Sequence, residues 1–162
     1  MNRTAMRVLV VCSGNTCRSP LAAAMLAASV ATEPRLADVE VVSAGTAARS
    51  GAPASEGTYL VALERGLDLS SHRARLLSAD DVQAADVILA MGREHLWSVS
   101  QLGGDRKAHL IREYAGEVPG VDVPDPFGGD VEGYRAAAAE FDRLLGRIME
   151  RLVRDRPRVV DA

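Results

Sequence analysis

The amino-acid sequence predicts a single-domain α/β fold: an open, four-stranded parallel sheet with helices on both faces. Three observations support this prediction. Apolar strand-like runs alternate with helical segments in the order βαβαβαβα, and the first run is apolar on both faces, as a buried parallel strand should be. The chain of 162 residues shows no repeat or linker, so we expect one domain over residues 1–162.

The first half of the chain supplies two strands, each followed by a helix. The run RVLVVC at 7–12 is the first strand, and the alanine-rich segment 19–31 is the first helix, with Ser19 as its expected cap and Pro20 in its first turn. The run VEVVSAG at 39–45 is the second strand and ends in a glycine turn. A helix over 52–66 follows, closed by Gly66.

The second half repeats the alternation. A short capped helix is expected from Ser78, and a long amphipathic helix ends the pattern. The remaining segments are a strand at 86–91, a helix at 93–104, a strand at 107–111 and the long helix at 130–155.

Composition restricts the possible partners and the compartment. A net charge of −3 gives no general attraction to nucleic acid or to an anionic membrane. No apolar stretch reaches the ~18 residues of a membrane helix, and the N-terminal apolar run is too short for a signal peptide. Two cysteines in such a chain indicate reduced, reactive thiols, so the cytoplasm is the expected location.

Both cysteines lie in one polar loop, where the first strand meets the first helix. In CSGNTCR, five residues separate Cys12 from Arg18. A loop of this size before a helix can turn its backbone N–H groups inward around a tetrahedral oxyanion, and Gly14 is expected to permit the turn. Arg18 can grip two phosphate oxygens. The dipoles of the same backbone N–H groups would lower the pKa of Cys12 and favour its thiolate, so Cys12 is a candidate nucleophile for phosphorus.

Other readings of this loop are weaker. A single buried cysteine is more often a small hydrophobic residue than a catalyst, but the combined pattern is much less common by chance. The loop lacks the Gly-Lys-Ser/Thr ending of a P-loop nucleotidase. No second Cys/His cluster completes a zinc site, and the four residues between Cys12 and Cys17 do not match a thioredoxin-type pair.

A second motif, VPDPFGG, supplies an acid. Transfer of a phosphoryl group requires protonation of the leaving group, and Asp125 lies between Pro124 and Pro126 in a loop that could present it over Cys12. Alone, these residues would indicate an ordinary turn. Together with the Cys-Arg loop, they favour a catalytic acid.

The two motifs resemble those of the low-molecular-weight protein tyrosine phosphatases, and the likeness extends over nearly the whole chain. SAGT at 43–46, LSSHRARLL at 69–77 and ADVILAM at 85–91 also match. The resemblance implies a phosphoprotein phosphatase with Cys12 as nucleophile, Arg18 as phosphoryl clamp and Asp125 as general acid and then base. It implies phosphorylated proteins as substrates, inorganic phosphate as product and inhibitor, and neither metal nor cofactor.

The resemblance also assigns supporting roles. Asn15, Ser19, Ser43 and His72 would hold the loop in shape, and Ser19 would also ease release of the thiolate. Cys17 would form a reversible disulfide with Cys12 or act only as a small filler. The residues expected to form the phosphate-binding loop are Ser13, Gly14, Asn15, Thr16, Cys17 and Ser19.

The expected substrate pocket comprises Thr16, Arg49 and Phe127. CxGNTCRSP with DPFGG is closest to the bacterial protein arginine phosphatases of the family, in which a threonine at position 16 can contact a phosphoguanidinium. The sequence therefore favours phosphoarginine modestly over phosphotyrosine, and a protein-tyrosine phosphatase proper is the alternative.

Two other functions are less favoured. A thioredoxin-coupled arsenate reductase needs further cysteines downstream, and none follows Cys17. A non-catalytic oxyanion-binding module would need neither a thiolate nor an acid, so the joint presence of Cys12, Arg18 and Asp125 argues against it.

Overall fold

The fold is the predicted parallel α/β sheet. The computed structural model describes residues 5–118 and 120–156, so the ends of the predicted domain at 1–4 and 157–162 lie outside the described residues. Four parallel strands form one sheet in the order β2-β1-β3-β4. They are β1 (Arg7–Cys12), β2 (Glu40–Gly45), β3 (Val87–Ala90) and β4 (Ala108–Leu110).

The helices follow the predicted alternation, with two additions. A 3₁₀ turn at Pro34–Leu36 precedes β2, and a short helix follows β4; neither was predicted. The α-helices are α1 (Arg18–Val30), α2 (Glu56–Glu64), α3 (Ala79–Ala84), α4 (Arg93–Gln101), α5 (Ile111–Tyr114) and α6 (Val131–Asp155). None of the described helices combines the length and apolar character needed to span a bilayer.

The two faces of β1 are buried against different helices, because successive side chains of a strand point to opposite sides. Val8 and Val10 pack in the core that contains the apolar faces of α1 and α6. Leu9 and Val11 pack on the other side with residues of α3 and α4. All four side chains are 0% exposed, which explains the continuous apolar run.

Two local predictions about helices need correction. Ser19 does not cap α1: the cap position is Cys17, which makes no side-chain cap bond, and Ser19 lies inside the first turn with its hydroxyl turned to Cys12. The predicted helix at 52–66 begins only at Glu56, because Ser55 is extended and its N–H donates to the carbonyl of Thr16 in the cysteine loop. Its predicted closure is confirmed, since Gly66 has φ +74° just beyond the helix end.

The parallel arrangement brings the carboxyl ends of β1, β2 and β3 to one edge. Cys12 pairs with Gly45, and a side chain on Gly45 would place a Cβ 2.4 Å from the carbonyl oxygen of Ser13. Glycine therefore lets the second strand end directly against the cysteine loop. This edge is where ligands bind in open parallel sheets.

Candidate active site

The Cys12 thiol lies at the base of the loop and receives two hydrogen bonds. The side chain is 2% exposed. The backbone N–H of Asn15 lies 3.3 Å from Cys12 Sγ, and Ser19 Oγ lies 2.9 Å from it. A thiolate can only accept, so when Cys12 is ionised the Ser19 hydroxyl, which also accepts from the Asn15 amide at 2.8 Å, donates to the sulfur. Both donors favour a negatively charged sulfur.

Asn15 organises the loop from within. Its backbone has φ +54°, the only positive value among described non-glycine residues, so the left-handed turn expected at Gly14 falls at Asn15 instead. Its buried amide donates to Ser19 Oγ and to Ser43 Oγ at 2.9 Å, and accepts from the N–H of Arg75 at 3.0 Å. The predicted supporting role of Ser43 therefore fits its position.

Groups outside the loop hold its backbone carbonyls. His72 Nε2 donates to the carbonyl oxygen of Asn15 at 2.7 Å, as expected of a supporting histidine. The carbonyl of Thr16 accepts from the backbone N–H of Ser55 at 2.9 Å and from its hydroxyl at 3.1 Å. Thr58 Oγ1 donates to the carbonyl of Cys17 at 3.1 Å. Ser55 and Thr58, at the start of α2, were not singled out from the sequence.

Arg18 is a buried cation that connects the loop to the aspartate segment. Its side chain is 7% exposed; Nη1 donates to the carbonyl of Val123 at 3.0 Å, and Nη2 lies 3.4 Å from Asp125 Oδ2. Asp125 is 48% exposed, and its other oxygen accepts from the N–H of Phe127 at 3.1 Å. The guanidinium and the carboxylate, separated by more than a hundred residues in sequence, are thus adjacent.

These groups surround a cavity of about 240 Å³. The predicted pocket residues Thr16 and Phe127 line it, but Arg49 does not: its side chain is exposed on the neighbouring loop. The lining consists of Cys12, Ser13, Gly14, Thr16, Cys17, Arg18, Ala47, Asp125 and Phe127. A larger groove of about 730 Å³, on the Tyr114 side of α6, contains none of the predicted site residues.

Cys17 lines the same cavity as Cys12, and both thiols are free. Cys17 Sγ donates to Ser55 Oγ at 3.2 Å and lies 3.8 Å from the hydroxyl of Tyr134. Tyr134 belongs to α6 and was not identified from the sequence, because nothing in a helix pattern indicates which residue will reach a distant loop.

His95 is a further site residue that sequence reasoning missed. It lies in the first turn of α4, is 0% exposed, and its Nε2 is 2.8 Å from Ser13 Oγ. Burial and the positive charge of Arg18 lower the pKa of His95, despite opposing effects of Glu94 and two aspartates. Its position just after β3, at the ligand-binding edge of the sheet, was a signal that could have found it.

The arrangement brings a thiol, a guanidinium and a carboxylate together around one cavity. Within residues 5–118 and 120–156, no three His, Cys, Asp or Glu side chains are grouped as metal ligands would be. The N–H of Asn15, which points at the sulfur, and the guanidinium of Arg18 suit a tetrahedral oxyanion. The sulfur at the base suits attack on its central atom.

Comparison with known proteins places this geometry among phosphatases. The family described as low molecular weight phosphotyrosine protein phosphatase matches residues 7–158. A protein-arginine-phosphatase of Geobacillus stearothermophilus is 37% identical, over 90% of this chain and 95% of its own length. The probable low molecular weight protein-tyrosine-phosphatase EpsP of Ralstonia solanacearum is 35% identical, over 84% and 88%. The crystal structure of a low molecular weight protein tyrosine phosphatase from T. tengcongensis superposes with a TM-score of 0.83 at 41% identity, covering 91% of this chain and 100% of that one.

Proposed function

The chain belongs to the low molecular weight phosphotyrosine protein phosphatase family, and from this membership we propose that it removes phosphate from arginine side chains of proteins. It is a cysteine-dependent protein phosphatase. Its similar relatives are named for phosphoarginine in some cases and phosphotyrosine in others, so the phosphorylated residue is what the proposal adds.

The observation that carries the preference for phosphoarginine is the lining of the cavity. Thr16 and Asp125 both face it and offer oxygen atoms that can accept from guanidinium N–H groups. Among the described residues, the Thr16 hydroxyl has one side-chain contact, the Cys17 sulfur at 3.7 Å, which is a weak partner. The hydroxyl is therefore available to a substrate.

The reaction proceeds in two steps. The Cys12 thiolate attacks phosphorus, so the S–P bond forms as the P–N bond to arginine breaks, and Asp125 gives its proton to the departing nitrogen. Arg18 and the loop N–H groups bind the phosphoryl oxygens throughout. Asp125 then accepts a proton from water, the new O–P bond displaces the sulfur, and phosphate leaves. Ser19 stabilises the thiolate that is released.

A protein-tyrosine phosphatase proper is the second candidate, and Phe127 is the observation that favours it. The residue is 72% exposed and lines the cavity, where its ring could stack against a phenyl group. The less favoured readings require different chemistry: an arsenate reductase of the thioredoxin-coupled kind needs relay cysteines beyond Cys17, and a binding module needs no acid such as Asp125.

The substrate test compares phosphoarginine and phosphotyrosine peptides on the wild type and on variants of Thr16. Thr16→Val and Thr16→Ile remove the hydroxyl, whereas Thr16→Ser keeps it and removes only a methyl group. We expect the ratio of kcat/KM for phosphoarginine to that for phosphotyrosine to fall about tenfold or more in the first two variants, because a buried donor loses its acceptor. The ratio should stay near the wild-type value in Thr16→Ser. An unchanged ratio in all three would remove the reason for preferring phosphoarginine.

The enzyme assignment has its own control. In Cys12→Ser, hydrolysis of p-nitrophenyl phosphate should be lost while phosphate binding persists. A wild-type protein that binds phosphate without any turnover would instead support the binding-module reading.

The remaining parts of the proposal concern surroundings and regulation. We place the protein in the cytoplasm, acting on phosphorylated proteins, with inorganic phosphate as product and inhibitor and without nucleic-acid or membrane partners. The net charge of −3 and the two free cysteines support this.

Cys17, which shares the cavity with Cys12, is proposed to form the protective disulfide. The chemistry as written requires no metal or cofactor.

A further inference from the structure

His95 is buried beneath the start of the phosphate-binding loop without satisfying its own hydrogen-bonding capacity. Nε2 contacts Ser13 Oγ at 2.8 Å, but Nδ1 has no hydrogen-bond partner among the described residues. An unpartnered buried polar atom costs free energy, and an apolar side chain of similar size would fill the same space without that cost. The histidine is therefore better explained by what Nε2 does for Ser13 than by packing.

A neighbouring carboxylate favours one direction of this hydrogen bond. Glu94 Oε1 lies 3.3 Å from His95 Nε2 and 3.5 Å from Ser13 Oγ, and a carboxylate can only accept. The carboxylate near Nε2 favours the tautomer with a proton there, in which Nε2–H donates to Ser13 Oγ and the Ser13 hydroxyl can donate to Glu94. In the neutral ring the unpartnered Nδ1 carries the lone pair.

Ser13 is consequently held from two sides. Its carbonyl oxygen accepts from the backbone N–H of Ala47 at 3.0 Å, in the segment after β2. Its hydroxyl is bound by His95 on α4. Ser13 follows Cys12 directly and lines the cavity, so its position bears on how the first part of the loop meets an oxyanion.

We propose that His95 is a positioning residue of the phosphatase: through the Ser13 hydroxyl, it fixes the first residue of the phosphate-binding loop in the conformation that binds an oxyanion. This inference rests on the proposed function, since it concerns the same cavity. It accounts for the buried histidine and for the missing partner of Nδ1.

The charges around His95 give the proposal a second readout. Glu94 on α4, Arg18 on α1, and Asp122 and Asp125 before α6 act on its ring. Burial and Arg18 keep the ring neutral at pH 7, because its pKa lies below the ordinary value. Protonation at Nδ1 adds positive charge close to Arg18. Binding of a dianion in the cavity should therefore raise the pKa of His95, and protonation of His95 should raise the affinity for the dianion.

The experiment uses His95→Leu, His95→Gln and Ser13→Ala, with His109→Gln as the matched control. His109 also has a lowered pKa, from burial and Arg151, but it lies on β4 outside the cavity lining. Kinetics with p-nitrophenyl phosphate are combined with calorimetric binding of sulfate between pH 5 and 8. Sulfate remains a dianion over this range, so changes in its affinity report on the protein.

We expect His95→Leu to lower kcat/KM and sulfate affinity about three- to tenfold, as for one lost hydrogen bond. His95→Gln should recover most of both, because its amide can reach Ser13. The double variant Ser13→Ala/His95→Leu should be no weaker than either single variant. Sulfate affinity should rise more steeply toward pH 5 in the wild type and His109→Gln than in His95→Gln.

Unchanged sulfate affinity in both His95→Leu and Ser13→Ala would overturn the proposal, as would fully additive effects in the double variant. Ser13→Ala keeps the histidine in its buried site, so the test does not depend on His95→Leu folding. A wild type that binds sulfate but lacks turnover would refute the proposed function alone, since the sulfate measurements still decide the role of His95.

Discussion

Removal of the Ser19 hydroxyl should separate the two steps of the reaction. Ser19 Oγ lies 2.9 Å from Cys12 Sγ, in a residue that is 0% exposed, so water cannot replace it. A hydrogen bond to a charged group contributes about 1.5–3 kcal/mol, which corresponds to about 10- to 150-fold in rate. The sulfur is the leaving group of the second step, so Ser19→Ala should slow breakdown of the cysteinyl-phosphate by that factor.

Stopped-flow measurement with p-nitrophenyl phosphate tests this expectation. Ser19→Ala should release p-nitrophenol in a burst approaching one equivalent per site, followed by a slow steady state. Ser43→Ala is the matched control, because it removes the other acceptor of the Asn15 amide without touching the sulfur. A steady-state rate in Ser19→Ala within twofold of the wild type, or the same burst in Ser43→Ala, would refute the reasoning.

Four further perturbations test other parts of the structure. Arg18→Lys should lower kcat/KM for p-nitrophenyl phosphate by about 100-fold or more, since the two-pronged grip is lost; near-normal kinetics would contradict the clamp. Asp125→Asn should slow an alkyl phosphate, which has a poor leaving group, at least about tenfold more than p-nitrophenyl phosphate; equal slowing argues against a general acid. After peroxide treatment, dithiothreitol should restore the wild type but not Cys17→Ser, and full recovery of the variant would exclude a protective disulfide with Cys12. Burial and Arg151 lower the pKa of His109 in the folded state, so protonation of this residue favours unfolding once the pH falls below about 6.5. The free energy of unfolding should therefore decline less between pH 7 and 5 in His109→Gln than in the wild type. Identical slopes of unfolding free energy against pH in the two proteins would disprove this linkage.

The sequence predicted the fold because its signals are local. The apolar run at 7–12 indicates a strand that is buried on both faces, and a helix between successive strands indicates parallel pairing. A parallel sheet with helices on both faces accommodates both features. The short helix Ile111–Tyr114 escaped prediction because a single helical turn has no periodicity to detect. The cap prediction for Ser19 failed because its hydroxyl binds the sulfur, a tertiary contact that outweighs the usual capping preference.

The candidate site was predictable where its chemistry lies in two short motifs. Cys12, Arg18 and Asp125 could be named because nucleophile, clamp and acid follow from residue type and spacing, and the structure places them around one cavity. Tyr134 and His95 could not, since their roles depend on which helix faces meet the loop. Such long-range pairings are set by packing of the whole chain.

The left-handed backbone of Asn15 has a consequence for how this loop can vary. The position must accept φ +54°, which glycine, asparagine and aspartate do most readily, and it must also supply two amide donors and one acceptor. Glycine meets only the first demand, and aspartate lacks the donors. At Gly14, by contrast, an added Cβ would meet only Thr16 Oγ1, at an ordinary 3.4 Å. Gly14 also lines the cavity, so a side chain there would lie beside the Thr16 hydroxyl. The backbone conformation and the hydrogen bonds therefore confine position 15 to asparagine, whereas position 14 is restricted by the cavity.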